Sequence, residues 1–435
     1  MDKLVIEGGQ PLNGIVPISG AKNAALPILI ATLLAPGEHI IENVPALVDI
    51  SFTLSLLGRI GCPSLVAGGR VKLDTSRIAF CEAPYDVVRK MRASVLVLGP
   101  LLARCGEARV SLPGGCAIGV RPVDQHLKGL EALGCEFKLE NGYINGRVDR
   151  LIGAEIHLDV PTVTGTENIL MAAVLAEGIT RIHNAACEPE IVDLARFLSS
   201  MGARIKGAGT SVLEIDGVPA LRPARIPHRI LPDRIEAGTY LVAGALTGGR
   251  LTISGAPVPE LGAVLSALTD AGCDLEIDGD SVTITRSGPL KPVSVSTEPH
   301  PGFPTDMQAQ WMSLMSLAEG ECDVAENIFE NRFMHVPELC RLGADIATNN
   351  NVARISGVTA LNGATVMATD LRASACLVLA GLAAGGQTEI LRLYHLDRGY
   401  ERLVEKLRAV GACLTRVPDD ARVPVGTLSE QRAVS

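Results

Sequence analysis

The run LPGGCAIGVRPVDQH, Leu112 to His126, sets one thiol, Cys116, among Gly114, Gly115 and Gly119, with Arg121 five residues on. Glycines free this backbone and leave its N–H groups available. A thiol beside arginines is drawn toward the thiolate and becomes reactive, although an inert thiol on a surface loop is the plainer alternative. Other chemistry-bearing residues cluster where helices begin: Lys22 with Asn23, Arg92, Asp306, and Asp370 with Arg372. Helix N-termini favour anions, so Lys and Arg there oppose the dipole unless an anion binds. For Asp306 and Asp370, N-capping after Thr305 and Thr369 is the alternative. PHPGFPTDMQAQ (299–310) uses three prolines as a rigid turn that delivers Asp306. ENIFENRFMH carries Arg332 and His335, and YHLDRGYERL carries His395, Asp397 and Arg398. A salt bridge to Asp397 or Glu401 is the structural reading of Arg398. Guanidinium forks, a lysine, a carboxylate and a thiol together suit work on a small anionic substrate.

Something must position these residues, and a repeat does so. A glycine followed by Ala or Cys, shortly after a Leu or Met, recurs at Gly61, Gly134, Gly202, Gly272, Gly343 and Gly411. The interval of roughly 70 residues suits a small supersecondary unit. Each copy reads as an apolar helix closed by glycine, a short strand, a second helix, then two alternating strands. One copy cannot bury both faces of its sheet, but three packed with their helices inside can. The expected architecture is therefore α/β, with six βαβαββ-type units, three per domain. The expected domains are 22–229 and 230–417, with 1–21 completing the second and 418–435 a loose polar tail. Cys62, Cys135 and Cys273 fall where other copies have alanine and read as small buried side chains.

The composition limits the function. The formal net charge of -9 argues against a nucleic-acid partner, which would want a basic field. No h-region follows Met1-Asp2-Lys3, and the most apolar stretch, Ala24 to Ala35, is interrupted by Pro27 and is too short to span a bilayer. The 11 cysteines are odd in number and lack tight metal spacing, as expected of reduced thiols in a cytoplasmic protein. Walker, Rossmann, HExxH and nucleophile-elbow motifs do not occur.

These runs, with ISGAKNAALPIL, APYDVVRKMRAS, EPEIVDLARFL, LPDRIEAGTYLVA and MATDLRASA, resemble the enolpyruvyl transferases, and among them those that use a UDP-sugar. The resemblance spans nearly the whole chain except the tail. It implies an inside-out α/β barrel in each domain with the active-site cleft between them. It implies transfer of the enolpyruvyl group of phosphoenolpyruvate to UDP-N-acetylglucosamine, at the start of peptidoglycan synthesis, by a fosfomycin target without metal or organic cofactor. A monomer without membrane partners is the accompanying expectation. A relative using another acceptor, or a catalytically silent one, is the alternative. By resemblance, Cys116 is the proton donor and site of a covalent adduct, and Asp306 is the base facing the sugar hydroxyl. Lys22, Asn23, Arg121, Arg332, Arg372 and Arg398 would hold phosphoenolpyruvate. Arg92, Arg121, Pro122, Val123, Asp124, Gln125, Thr162, Val163, Thr164, Gly165, Asp306 and Ile328 would meet the sugar nucleotide. Val160 stands where many members carry Lys, and Thr164-Gly165 where many have Gly-Ala.

The chemistry explains the set. Protonation of C3 of the enol makes C2 electrophilic, the sugar hydroxyl adds, and the ketal expels phosphate. That needs an acid and a base on opposite sides of the carbon. Arginines that favour the thiolate also disfavour a thiol acid, so Cys116 is left either as donor or as nucleophile.

Overall fold

The structure, a computed structural model, describes residues 2–89, 91–112, 123–421 and 423–428. Cys116, Arg121 and Pro122 lie outside those residues.

The repeat seen in the sequence is a device for ending helices. In every copy the second helix stops at a glycine in the left-handed region: Gly61, Gly134, Gly202, Gly272, Gly343 and Gly411, with φ from 88° to 109°. The next residue (Cys62, Cys135, Ala203, Cys273, Ala344 or Ala412) returns its N–H to a carbonyl five residues back. The acceptors are Leu57, Leu130, Leu198, Leu268, Leu339 and Leu407, at 2.8–3.1 Å. This is the Schellman closure, in which a residue without Cβ accepts the left-handed turn and an orphan carbonyl regains a donor. The six leucines and the six small residues are all buried. The cysteines at this position are therefore packing residues, as the repeat suggested.

Among the described residues, six four-stranded sheets share one strand order. In the third copy, Glu155–His157 pairs in parallel with Ile179–His183, which pairs antiparallel with Val212–Asp216, and Arg204–Lys206 closes the far edge. Three copies borrow a strand. His228–Arg229 is the parallel edge beside Glu38–Glu42 of the first copy, and Gly14–Pro17 is that edge beside Leu251–Ser254 of the fourth. Asp2–Glu7 fills the inner place of the sixth, between Gln387–Leu391 and Cys413–Pro418. The N-terminal strands thus complete sheets of the last three copies. Past Pro418, the N–H groups of Gly426 and Leu428 donate to Glu7 Oε1 at 2.7 and 3.3 Å.

The chain divides into two compact units, residues 20–112 with 123–231, and residues 2–19 with 232–428. Each has one continuous apolar core. In the second unit Arg234–Thr247, Gln308–Met315 and Leu371–Ala383 pack on one another. Their residues are buried almost all round, which marks interior helices. Strands such as Arg70–Asp74 alternate between buried and exposed, with one face on the helices and one in water. This is the inside-out α/β arrangement; each sheet remains an open four-stranded one. Among the described residues no helix is long and apolar enough to cross a membrane.

Candidate functional site

In the unit made of 2–19 and 232–428, three sequence-singled residues converge. Asp306 lies in the turn Thr305–Met307 that opens the helix Gln308–Met315. Its Oδ1 accepts from Arg332 at 2.6 Å and its Oδ2 from Arg372 at 2.6 Å. The carboxylate caps no helix, so of the two readings for Asp306 capping is the one set aside. Asp370 does cap: its Oδ1 accepts from the N–H of Arg372 at 2.8 Å and of Ala373 at 3.0 Å. Arg332 and Arg372 are buried at 7% and 5% exposure, whereas the Asp306 side chain is 26% exposed. Two guanidiniums thus stand behind a carboxylate that solutes can reach. Burial alone would push the Asp306 carboxyl up; the charges and hydrogen bonds of Arg372 and Arg332 outweigh it and hold it well below the usual carboxylate range.

Neighbours fix this trio. The Gln310 amide donates to the Asp306 carbonyl at 2.9 Å, and approaches Thr239 Oγ1 at 3.1 Å and Tyr400 Oη at 3.2 Å. Arg372 lies over the Tyr400 ring and Arg332 over the Phe329 ring. Arg398 closes the turn Leu393–Arg398. Its neighbour Asp397 is taken by Arg416, at 2.7 and 3.0 Å. Ile328 is half-buried, in the loop after Glu321–Ala325.

The other unit carries a second set. Lys22 opens the helix Lys22–Ala31, whose N-cap, Ala21, offers no side-chain acceptor. Lys22 Nζ reaches Asp49 Oδ2 at 3.1 Å, and this buried carboxylate offsets the cation at the positive helix end. Asn23 beside it is exposed. Arg92 opens the turn Arg92–Val97 and Val123 precedes the helix Asp124–Ala132. Gln125 is spanned by Asp159, which accepts its amide at 2.9 Å and donates backbone N–H to its oxygen at 2.9 Å. Its side chain is thereby committed to joining two segments. Thr162 caps the helix Val163–Ala173 through Gly165 N–H at 3.3 Å. Val160, just before, is 58% exposed.

Sequence reasoning passed over His126, although it ends the glycine-rich run. Asn168 Nδ2 donates to its Nδ1 at 3.0 Å, so the ring proton sits on Nε2, which bonds Thr164 Oγ1 at 3.2 Å. Burial first, then the charge of Arg92, pushes this imidazole down to about 4. Asn168 also accepts from Gly99 N–H at 2.7 Å, tying the Thr162 cap to the helix Leu98–Cys105. Asp49, His126 and Asn168 carry no motif; only tertiary pairing reveals them.

The parallel strands also bring together Glu155, His157 and His183, a group that could hold a metal ion. Its stacked imidazoles lie 4.3 Å apart, but His183 and Arg181 already engage Glu155 at 2.7 and 2.9 Å, and those pairs explain the cluster without an ion.

Fold and site define a class: a six-copy inside-out α/β protein in which two buried arginines converge on one carboxylate. Residues 6–407 match the family model for EPSP synthase (3-phosphoshikimate 1-carboxyvinyltransferase), and the chain belongs to that family. Among curated relatives, a UDP-N-acetylglucosamine 1-carboxyvinyltransferase of Nitratidesulfovibrio vulgaris is 57% identical over 96% of this chain and 100% of its own. That of Geotalea uraniireducens is 54% identical over the same shares. Among solved structures, the enolpyruvyl transferase NikO from Streptomyces tendae superposes with a TM-score of 0.87 at 28% identity, covering 96% of this chain and 99% of that one. EPSP synthase from Acinetobacter baumannii, at 17% identity over 96% of this chain and 100% of its own, shares the fold with a TM-score of 0.74.

Proposed function

We propose that this chain is a UDP-N-acetylglucosamine 1-carboxyvinyltransferase. It transfers the enolpyruvyl group of phosphoenolpyruvate to the sugar 3-hydroxyl, releases phosphate, and thereby commits the sugar nucleotide to peptidoglycan synthesis. The observation that carries the reading is the convergence of Arg332 and Arg372 on Asp306, joined to full-length identity above 50% with relatives of that name. Phosphoenolpyruvate offers a phosphate and a carboxylate, each a match for a guanidinium fork. An anion that takes the two arginines releases the Asp306 carboxylate from its ion pairs and raises its proton affinity. Asp306 then accepts the proton of the attacking hydroxyl. Cys116 supplies a proton to C3 or adds to C2, and Lys22, Asn23, Arg121 and Arg398 share the substrate's charge. Arg92, the segment 121–125, the Thr162 cap and Ile328 meet the sugar nucleotide. The ten described cysteines are all free, in keeping with a cytoplasmic enzyme, and we take the working form to be a monomer.

The test is phosphate release from phosphoenolpyruvate, with UDP-N-acetylglucosamine, shikimate 3-phosphate and UMP compared as acceptors. Release with the UDP-sugar alone is expected. Release with a different acceptor keeps the chemistry and moves the substrate, directing attention to Val160 and Thr164. No release from folded protein would leave a silent member of the family.

A further inference from the structure

Glu326 follows the strand Glu321–Ala325, is 2% exposed, and is outside the set that resemblance singles out. Its Oε1 accepts the Thr297 hydroxyl at 3.0 Å and the N–H groups of Ile328 at 2.9 Å and Phe329 at 3.1 Å. Its Oε2 accepts the Thr305 hydroxyl at 2.8 Å. All four donors are neutral, and a buried carboxylate wants a positive charge close by. Arg332 provides one, a single hydroxyl away: Nη1 donates to Thr305 Oγ1 at 2.8 Å while Nη2 donates to Asp306 Oδ1. A guanidinium has donors only, so the Thr305 oxygen must accept from Arg332 and spend its one proton on Glu326. The hydroxyl's direction is thus forced from both sides.

We propose that Glu326 is a positioning residue for the transfer reaction, through two arms. One arm turns Thr305 into the acceptor that aims Arg332 at Asp306. The other arm pins the turn at Ile328 and Phe329, where the sugar nucleotide is expected. A single carboxylate therefore sets the anion-binding arginine, the base and an acceptor contact in register. The inference rests on the carboxyvinyl-transfer reading.

The arms can be cut separately. Thr305→Val removes the first: kcat falls and the KM for phosphoenolpyruvate rises, each about tenfold, the scale of one charge-assisted hydrogen bond. The KM for UDP-N-acetylglucosamine stays within about twofold, because the second arm is intact. Thr305→Ser restores both parameters. Glu326→Gln weakens both arms and raises both KM values. The double variant Glu326→Gln with Thr305→Val has the kcat of Thr305→Val alone, since once the hydroxyl is gone Glu326 has no path left to Arg332. Wild-type kinetics in Thr305→Val, additive losses in the double variant, or a lowered Tm with unchanged kinetics in every variant would overturn the proposal. If Glu326→Gln does not fold, the Val and Ser variants at position 305 carry the test. If the parent enzyme releases no phosphate with any acceptor, the functional reading has failed by itself. The crystal structure of Thr305→Val then decides: Arg332 displaced from Asp306 supports the positioning role, and an unmoved pair ends it.

Discussion

Asp306 is held in a state that suits waiting better than proton abstraction. With Arg332 and Arg372 on its two oxygens, its carboxyl stays ionised to unusually low pH, and a carboxylate so stabilised is a weak base. The acid limb of kcat/KM, which reports the free enzyme, should therefore lie below the usual carboxylate range. The limb of kcat, which reports the substrate complex, should lie higher, because phosphoenolpyruvate competes for the arginines. Coincident limbs in steady-state pH profiles would mean that the arginines never let go. Asp306→Asn should lower kcat much more than it raises either KM; a change in KM alone would reduce Asp306 to a binding group. Cys116→Ser should nearly abolish turnover while calorimetry still registers UDP-N-acetylglucosamine binding, and full activity would remove the thiol from the reaction. Val160 is exposed one residue before Pro161 and the Thr162 cap, so Val160→Lys adds a cation near a helix entry without disturbing a core. A severalfold lower KM for the UDP-sugar, on the order of one surface charge contact, is the expected result. An unchanged KM would place the diphosphate elsewhere.

At the level of elements, the six Schellman closures separate glycines that geometry requires from one that it does not. Gly202 has φ 109° with nothing within 4 Å of an added Cβ, so Gly202→Ala meets only backbone strain, about 1–2 kcal/mol. Gly58 lies exposed inside the helix Val48–Ile60 with equal room, and Gly58→Ala should stabilise by about 0.5–1 kcal/mol. Opposite shifts of the urea midpoint check the pair; shifts of the same sign would show that the left-handed turn is not the reason for the repeat glycine. These closures also explain what could be read in advance. A helix stop needs a residue type, and so Gly-Cys and Gly-Ala at steady intervals announced six copies and made Cys62, Cys135 and Cys273 inert. Helix starts likewise showed Lys22, Arg92, Asp306 and Arg372, since charge at an N-terminus is chemically marked. Glu326, His126 and Asp49 stayed hidden because what distinguishes them is a partner far along the chain: Thr297 and Thr305, Asn168 and Thr164, and Lys22. Borrowed strands such as Asp2–Glu7 were visible only as remainders of the count.

Across the whole molecule, each unit buries imidazoles and carboxyls whose titrations oppose each other; in the unit that holds His126, burial also pushes His39 down. In the unit of 2–19 and 232–428, burial pushes His335 down to about 4 and Glu236 up to about 7, with Lys406 pulling Glu236 part of the way back. In the other unit His126 is down at about 4, and burial drives Glu167 well above the carboxylate range, helped by Glu190 and Glu188. A histidine whose folded pKa lies below its unfolded value binds its proton preferentially in the unfolded chain. Between about 6.5 and 4, His335 and His126 therefore cost stability as the pH falls. A carboxyl with a raised folded pKa does the reverse. Glu236 binds its proton preferentially in the folded chain, so its contribution is present below about 4.5 and is lost as the pH rises through about 7. Within the shared window the two slopes have opposite signs and similar size, about 1.4 kcal/mol per pH unit for each group that is protonated in one state only. In the parent protein the raised carboxyls therefore offset part of the stability that the buried imidazoles lose as the pH falls from 6.5 to 5. Glu236→Gln removes one side of the balance and should steepen the loss of stability on acidification by about 1.4 kcal/mol per pH unit, whatever it does to stability at a single pH. His335→Gln should tilt the same curve the other way. Urea unfolding of the two variants and their parent at pH 5, 5.75 and 6.5 measures both slopes. Parallel curves for all three would show that the buried pair keeps ordinary pKa values and that burial here is not a barrier to charge.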